Sequence, residues 1–420
     1  MKDLSEQIQS LCRRAKDSSR LLAELSPKTI DCGLIAIGEE LFSKKHEILE
    51  ANEKDVDNAK KANLSPALID RLYLGEKRFG DLLKALEDIV YLPSPLGEVI
   101  EEWKRPNGLL IKKIRVPIGL IGIIYESRPN VTVDSSALCL KSGNAVILRG
   151  GTEAFNTNCA LVDSIHAGLR KARIVEDAVL LVPTTDRQSI PLLCSQQGLI
   201  DLLIPRGGKN LIETVVNHAK IPVIKHSQGI CHVYVHCDAS FDKALSIVLN
   251  AKCQRPAVCN AMETLLIDEK IAPDFLPLVV NELQKRGVEL RGDQNCLNIM
   301  GDRLILADEE DWSTEYLDLI LSIKIVKNLQ EAIDHIRKHG SNHSDAIVTE
   351  DSSAAEAFLH KIDSAAVYWN ASTRFTDGFE FGFGAEIGIS TDKIHARGPM
   401  GLKELTTYKY IVYGNGQIRT

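Results

Sequence analysis

The chain has 420 residues, 44% of them apolar and 25% charged, which is the make-up of an ordinary water-soluble globular protein of two or three domains. Its 50 Lys and Arg against 57 Asp and Glu leave a formal charge of −7, which argues against a protein built to coat nucleic acid or an anionic membrane. The opening residues MKDLSEQIQS hold no apolar stretch of a secretory signal, and the longest apolar run, 116–125, falls well short of the ~20 residues of a membrane helix.

Leu4, Ile8, Leu11, Ala15, Ser18, Leu22 and Leu25 recur every three or four residues and predict a first helix, with Asp3 available as its cap. Ser26-Pro27 and Ser65-Pro66 each set a capping residue before a proline at the first helical position, so two or more helices precede the PSP at 93–95. GEVIEEW and LLIKKIRV then read as strands around the turn signal Arg105-Pro106-Asn107-Gly108. An oligomerisation arm and a plain surface hairpin both fit them. From 116 onward the apolar runs IGLIGIIY, NAVILRG, AVLLVP, LIDLLIP, PVIKH, CHVYVH, ETLLIDE, DAIVTE and AAVYWN alternate with helix-like stretches such as 153–172 and 209–219. That alternation predicts βαβ units and mostly parallel sheets, in domains too tightly spaced for a linker.

Several constellations carry chemistry. Arg149-Gly150-Gly151-Thr152 and Arg206-Gly207-Gly208-Lys209 are strand–glycine–helix junctions, which aim unpaired backbone N–H groups at an anion. They are the two sides of a nucleotide crevice or two ordinary βα turns. Gly382-Phe383-Gly384 resembles a dinucleotide loop but lacks the strand before it and the helix after it, and is set aside. Ten cysteines, none in a C-x-x-C pair, fit reduced thiols in a cytosol, most of them small buried hydrophobes. Cys259 differs: it falls in a polar loop between a helix and a strand, beside Arg255 and Asn260, where a thiol can act as a nucleophile or simply be structural. His335, His339 and His343, and His232 and His236 beside Cys231 and Cys237, invite a metal, but no H-E-x-x-H pattern completes a site and none is expected.

SRPNVTVDSSALCLKSGNAVILRGG, LLIPRGGK, QRPAVCNAMETLLI, EYLDLIL, VYWNASTRFTDG and GAEIGISTDKIHARGPMGLKELTTYKY occur in that order. Together they closely resemble the gamma-glutamyl phosphate reductase family of the aldehyde dehydrogenase superfamily, over nearly the whole chain. The resemblance implies an aldehyde dehydrogenase-like α/β fold: two interleaved doubly wound domains and a β-flap for oligomerisation. Residues 1–98 and 129–228, with a return near 362–390, are expected to form the cofactor-binding domain. Residues 229–361 are expected to form the catalytic domain, and 99–128 with 391–420 the flap.

The same resemblance implies Cys259 as nucleophile and Asn130 as oxyanion donor. It puts Arg149, Gly150, Gly151 and Thr152 at the adenosine end of NADPH, Gly207 and Gly208 at its pyrophosphate, and Glu315 at its nicotinamide ribose. Ser372, Thr373 and Arg374 fall at a substrate-anchoring loop, and Arg128, Arg255 and Asn260 join them as substrate-binding candidates. The three arginines are equally readable as surface or structural ion pairs. The reaction implied is cytoplasmic reduction of glutamyl phosphate through a cysteine thioester, by a homo-oligomer in transient contact with a glutamate kinase. Oxidative relatives carry a glutamate that activates water, whereas the segment Lys225-His226-Ser227-Gln228-Gly229-Ile230-Cys231 has no carboxylate. The absence favours phosphate over water as the group exchanged at the thioester, with His226 a weak substitute base. Aldehyde oxidation to a free acid and a catalytically silent scaffold are the competing readings.

Overall fold

The computed structural model describes residues 2–225 and 228–419, so His226 and Ser227 lie outside the described residues. Five helices open the chain: α1 (Lys2–Leu22), α2 (Pro27–Ser43), α3 (Lys45–Lys61), α4 (Pro66–Leu72) and α5 (Glu76–Tyr91). The Ser-Pro devices work as the sequence predicts: the Ser26 hydroxyl accepts the Thr29 N–H at 3.1 Å and the Ser65 hydroxyl accepts that of Leu68 at 3.4 Å. Asp3 sits inside the first turn of α1, which begins one residue earlier, and there it accepts the Gln7 side chain at 3.2 Å.

A hairpin follows, β1 (Val99–Lys104) and β2 (Leu110–Pro117), with Gly108 at φ +90° in its turn. Next come β3 (Leu120–Tyr125), α6 (Asn130–Lys141), β4 (Ala145–Arg149), α7 (Phe155–Lys171), β5 (Val179–Leu181), α8 (Ser189–Cys194), β6 (Leu202–Arg206) and α9 (Lys209–His218). The chain continues through β7 (Cys231–Val235), α10 (Phe241–Cys253), β8 (Met262–Asp268), α11 (Ala272–Gln284), β9 (Glu289–Gly292), α12 (Gln294–Met300), β10 (Ile305–Leu306) and β11 (Ile320–Val326). It ends with α13 (Leu329–His339), β12 (Ser344–Val348), α14 (Ser352–Lys361), β13 (Ala366–Trp369), β14 (Ile389–Ser390), β15 (Gly398–Pro399) and β16 (Thr406–Tyr413).

These elements fall into two units. The first comprises Met1–Lys225, Gly382–Gly388 and Met400–Thr420. Its parallel sheet has the order β5-β4-β3-β6, and β3 and β4 are buried along their whole length, as strands covered on both faces must be. A separate antiparallel sheet, β1-β2-β16, pairs Thr406–Tyr413 with Pro117–Leu110. The second unit comprises His226–Phe381 and Ile389–Pro399, around a parallel sheet of order β10-β9-β11-β8-β7-β12-β13. Val233, Val248, Leu265, Phe275, Val279 and Ile323 are among the wholly buried side chains of its core.

The boundaries differ from expectation in three places. Residues 362–381 stay with the second unit, because β13 pairs along β12 and extends its sheet, so the return to the first unit narrows to 382–388 and 400–420. Residues 120–125 are not flap: β3 pairs with β4 and β6 at the centre of the first unit's parallel sheet. Of 391–420, only β16 joins the flap strands. Of the run PVIKH, the described residues 222–225 form only an isolated bridge, from Val223 to Leu203. Conversely, β9 and β11 lie outside the strand-like runs, since β9 is four residues long and Ser322 and Lys324 interrupt the apolar face of β11.

Candidate active site

In the second unit the nucleophile candidate sits where α10 gives way to β8. Cys259 is half-buried in that loop, while Cys231 on β7 is wholly buried and donates its S–H to the Cys259 carbonyl at 3.3 Å. Burial pushes the Cys231 thiol well up, so it stays protonated beside its neighbour. Gly229 passes directly over the loop: a side-chain carbon there would fall 2.5 Å from both the Cα and the carbonyl carbon of Cys259. Only glycine permits that approach. The Gly229 N–H is in turn held by Glu315 Oε1 at 2.9 Å, and burial raises the Glu315 carboxyl.

Residues 372–374 come together around Asn260. Its buried carboxamide donates to the Thr376 carbonyl at 2.9 Å and the Arg374 carbonyl at 3.3 Å, and its Oδ1 receives the Arg374 guanidinium. Thr373 Oγ1 donates to the Asn260 carbonyl at 2.8 Å, and Ser372 Oγ accepts the Arg374 N–H at 3.3 Å. The side chains of Asn260, Ser372 and Thr373 are thereby spent on fixing the loop, and Arg374, half-buried, both joins that network and lines the cavity beside it. Arg374 Nε reaches Gln254 Oε1 at 2.8 Å. Burial lowers its pKa first and the neighbouring Arg255 guanidinium lowers it further, while Cys259 pulls it up, so two cations gather near the thiol. A cavity of about 220 Å³ opens beside them, lined by Asn250, Gln254, Arg374, Phe375, Asp377 and Glu380.

In the first unit, Ser127 takes φ +45° just before α6 and is pinned by Glu153, which accepts its N–H at 2.7 Å and its hydroxyl at 2.5 Å. Arg128 is exposed in this turn, and Asn130 is exposed as the first residue of α6. Asn130 Nδ2 donates to Asp134 Oδ2 one helical turn later at 2.8 Å. Burial pushes the Asp134 carboxyl up to about 6 against the pull of Asn130 and Arg206.

Arg149 closes β4 and is 6% exposed. It donates to the Gly150 carbonyl at 3.0 Å, the Thr185 carbonyl at 3.2 Å and the Ser189 hydroxyl at 3.3 Å, and forms no ion pair among the described residues. Three acceptors leave part of its five-donor fork unspent. Gly151 precedes a short 3₁₀ turn at Thr152–Ala154, and Thr152 Oγ1 contacts the Thr185 carbonyl at 3.5 Å. At the other junction Gly208 caps α9, and its N–H donates to Glu126 Oε2 at 2.9 Å. A carbon added to Gly208 would meet nothing nearer than that carboxylate, at 3.9 Å. A helix start that already attracts an anionic oxygen, at the same end of the sheet as a buried guanidinium with no carboxylate partner among the described residues, fits a phosphorylated nucleotide.

The histidines take other roles. His232 pairs with Asp345 at 2.9 Å in full burial, and His335 and His339 stack at 4.7 Å in α13. His343 lies beyond that helix, beside Ser344. Among the described residues His236, Cys237 and Asp238 bring ligand-type atoms together at the end of β7. Yet His236 Nδ1 is bonded to the Thr349 hydroxyl at 2.9 Å, and the Cys237 sulfur stands 3.5 Å from Nε2 and 3.9 Å from Nδ1.

Sequence reasoning missed Gly229, Lys252, Glu263, Glu126 and Asp134. Glu263 had a signal: a carboxylate inside the otherwise apolar strand METLLID requires a buried partner. Asp134 becomes visible only once α6 sets it one turn beyond Asn130, and the others only through contacts further along the chain.

A model of the aldehyde dehydrogenase family matches residues 4–296. The gamma-glutamyl phosphate reductase of Carboxydothermus hydrogenoformans is 56% identical over 414 residues, covering 99% of this chain and 100% of that protein. The one from Nautilia profundicola is 52% identical over 412 residues, 98% of this chain and 100% of its own length. The crystal structure of gamma-glutamyl phosphate reductase from Thermotoga maritima superposes with a TM-score of 0.97 at 47% identity, covering 98% of this chain and 100% of that one. An acetylating aldehyde dehydrogenase from Geobacillus thermoglucosidasius shares the fold, with a TM-score of 0.70 at 16% identity over 100% of this chain and 98% of its own. The chain belongs to the aldehyde dehydrogenase family of oxidoreductases, and within it to the gamma-glutamyl phosphate reductases.

Proposed function

We propose that the chain reduces L-glutamyl 5-phosphate to L-glutamate 5-semialdehyde and phosphate with NADPH, the reductive step of proline biosynthesis. The observation that carries this reading is 56% identity, over 99% of the chain, to a protein named for that reaction. The Cys259 thiolate attacks the acyl carbonyl, the carbon–oxygen bond to phosphate breaks, and a thioester remains on the sulfur. Bound NADPH supplies the hydride that reduces the thioester, and the carbon–sulfur bond then breaks to release the aldehyde and restore the thiolate. Asn130 and the Cys259 backbone N–H are assigned to the oxyanion, a task worth ~3–4 kcal/mol per donor in comparable enzymes. Arg255 and Arg374 are assigned to the anionic groups of the substrate, and Arg128 to the same task on resemblance alone.

Arg149, Gly150, Gly151 and Thr152 are assigned to the adenosine end of the cofactor, Gly207 and Gly208 to its pyrophosphate and Glu315 to its nicotinamide ribose. The strand beside β3 ends in Arg149, where an acidic residue would serve a bare ribose in a doubly wound sheet, and that supports NADPH over NADH. On this reading the enzyme is a cytoplasmic homo-oligomer. Its assembly element is the sheet β1-β2-β16, where Tyr408, Tyr410 and Val412 are 50–54% exposed. Glutamate kinase, which makes the acyl phosphate, is the transient partner.

The test runs the reaction backwards. Purified protein is given glutamate 5-semialdehyde and NADP⁺ with and without inorganic phosphate. Turnover is expected only with phosphate, and Cys259→Ser is expected to lower it by a factor of 10³ or more, on the order seen when a covalent nucleophile is removed. Turnover indifferent to phosphate overturns the reading in favour of oxidation to the free acid.

A further inference from the structure

Lys252 lies in the last turn of α10 and Glu263 at the start of β8, so the pair brackets the loop that carries Cys259. Both side chains are 0% exposed, and Lys252 Nζ meets Glu263 Oε2 at 2.6 Å. Two charges taken wholly out of water are a poor way to gain stability, since apolar residues of the same volume do as well or better. The contacts of the pair point to another use. The second Glu263 oxygen accepts the Leu317 N–H at 3.2 Å, two residues from Glu315. Glu315 holds the Gly229 N–H, and Gly229 presses on the Cys259 backbone. The contacts form a closed ring: nucleophile loop, ion pair, the 315–317 segment, Gly229, and the nucleophile again.

We propose that Lys252 and Glu263 are positioning residues, an internal clamp that fixes the Cys259 loop and the Glu315 arm relative to each other. This rests on the reading of Cys259 as the nucleophile. Glu263 touches Lys252 from α10 and feels the charge of Glu315 from the segment before β11, and Cys231 on β7 feels the Glu263 charge in turn. Tyr316 adds its ring, 5.9 Å from Lys252 Nζ, with Arg291 on the same ring at 5.3 Å. Burial pushes the Glu263 carboxyl up to about 7, against the pull of Lys252. Protonation below that pH removes the counter-charge of Lys252 and loosens the clamp.

The test follows carbamidomethylation of Cys259 by iodoacetamide, read by peptide mass spectrometry across the neutral pH range, with thermal unfolding as the fold control. Glu263→Gln is expected to change the Cys259 rate at least fivefold and to remove a pH step near neutrality that is separate from the thiol's own. In the phosphate-dependent assay it is expected to lower kcat tenfold or more and to raise KM for NADP⁺. The double variant Lys252→Met with Glu263→Leu is expected to recover thermal stability without recovering the wild-type rate or pH profile, and Lys252→Arg to stay within twofold of wild type. Wild-type alkylation and pH dependence in folded Glu263→Gln or in the double variant overturns the proposal. So does failure of every apolar variant to fold, which makes the pair a folding element alone. The alkylation readout needs no turnover, so a wrong substrate assignment fails in the phosphate assay and a wrong clamp fails here.

Discussion

Asp134 shows how one carboxyl can tie a site to acidity. Its folded pKa of about 6 stands above the ordinary 3.8, so across that interval the folded chain keeps a proton that the unfolded chain has released. Stability from this group is therefore greatest in acid and falls as pH rises through the window, by on the order of 2–3 kcal/mol. Asp134→Asn retains an acceptor for Asn130 and cannot ionise. Its unfolding free energy, measured by denaturant titration, is expected to match wild type near pH 4 and to exceed it by roughly that amount near pH 7. Cys259 was marked as a candidate by its place in a polar loop beside an arginine, and its assignment as nucleophile came from the family resemblance. Gly229 was not marked, since its meaning is a backbone contact with a residue far along the chain.

Helix starts are written locally, and both Ser-Pro starts were readable. Ser26→Ala removes one acceptor from the first turn of α2, and thermal unfolding is expected to report a loss of about 1 kcal/mol with activity intact. Strands were legible where apolar residues ran on, as in β3 and β4, or where a turn signal framed them, as in β1 and β2. The interrupted β11, with no such frame, was lost, although it sits between β9 and β8 near the middle of its sheet. The turn at 372–374 shows how a marked place can hide the reason for its shape. Residues 372–374 were marked by their likeness to a family motif, yet the reason they hold their shape is Asn260, more than a hundred positions earlier.

At the scale of the whole molecule, the α/β class and the mostly parallel sheets were visible in the alternation of runs, the doubly wound, interleaved arrangement came from the family resemblance, and the bounds at which the chain passes between units came from neither. Local periodicity cannot say that 362–381 extends one sheet and 400–420 rejoins the other unit. Deleting 406–420 removes β16 and leaves one long edge of β2 without its partner. Light scattering of that variant is expected to show aggregation or a changed assembly, while far-ultraviolet circular dichroism keeps the signal of the parallel sheets. The separation of β2 from β16 also orders events at the ribosome. Synthesis runs from the amino end, so the hairpin of β1 and β2 emerges roughly 290 residues before the strand that completes it. Throughout translation the nascent polypeptide displays an open, β-branched template, and a chaperone or a neighbouring nascent chain has first access to it until residue 413 is released.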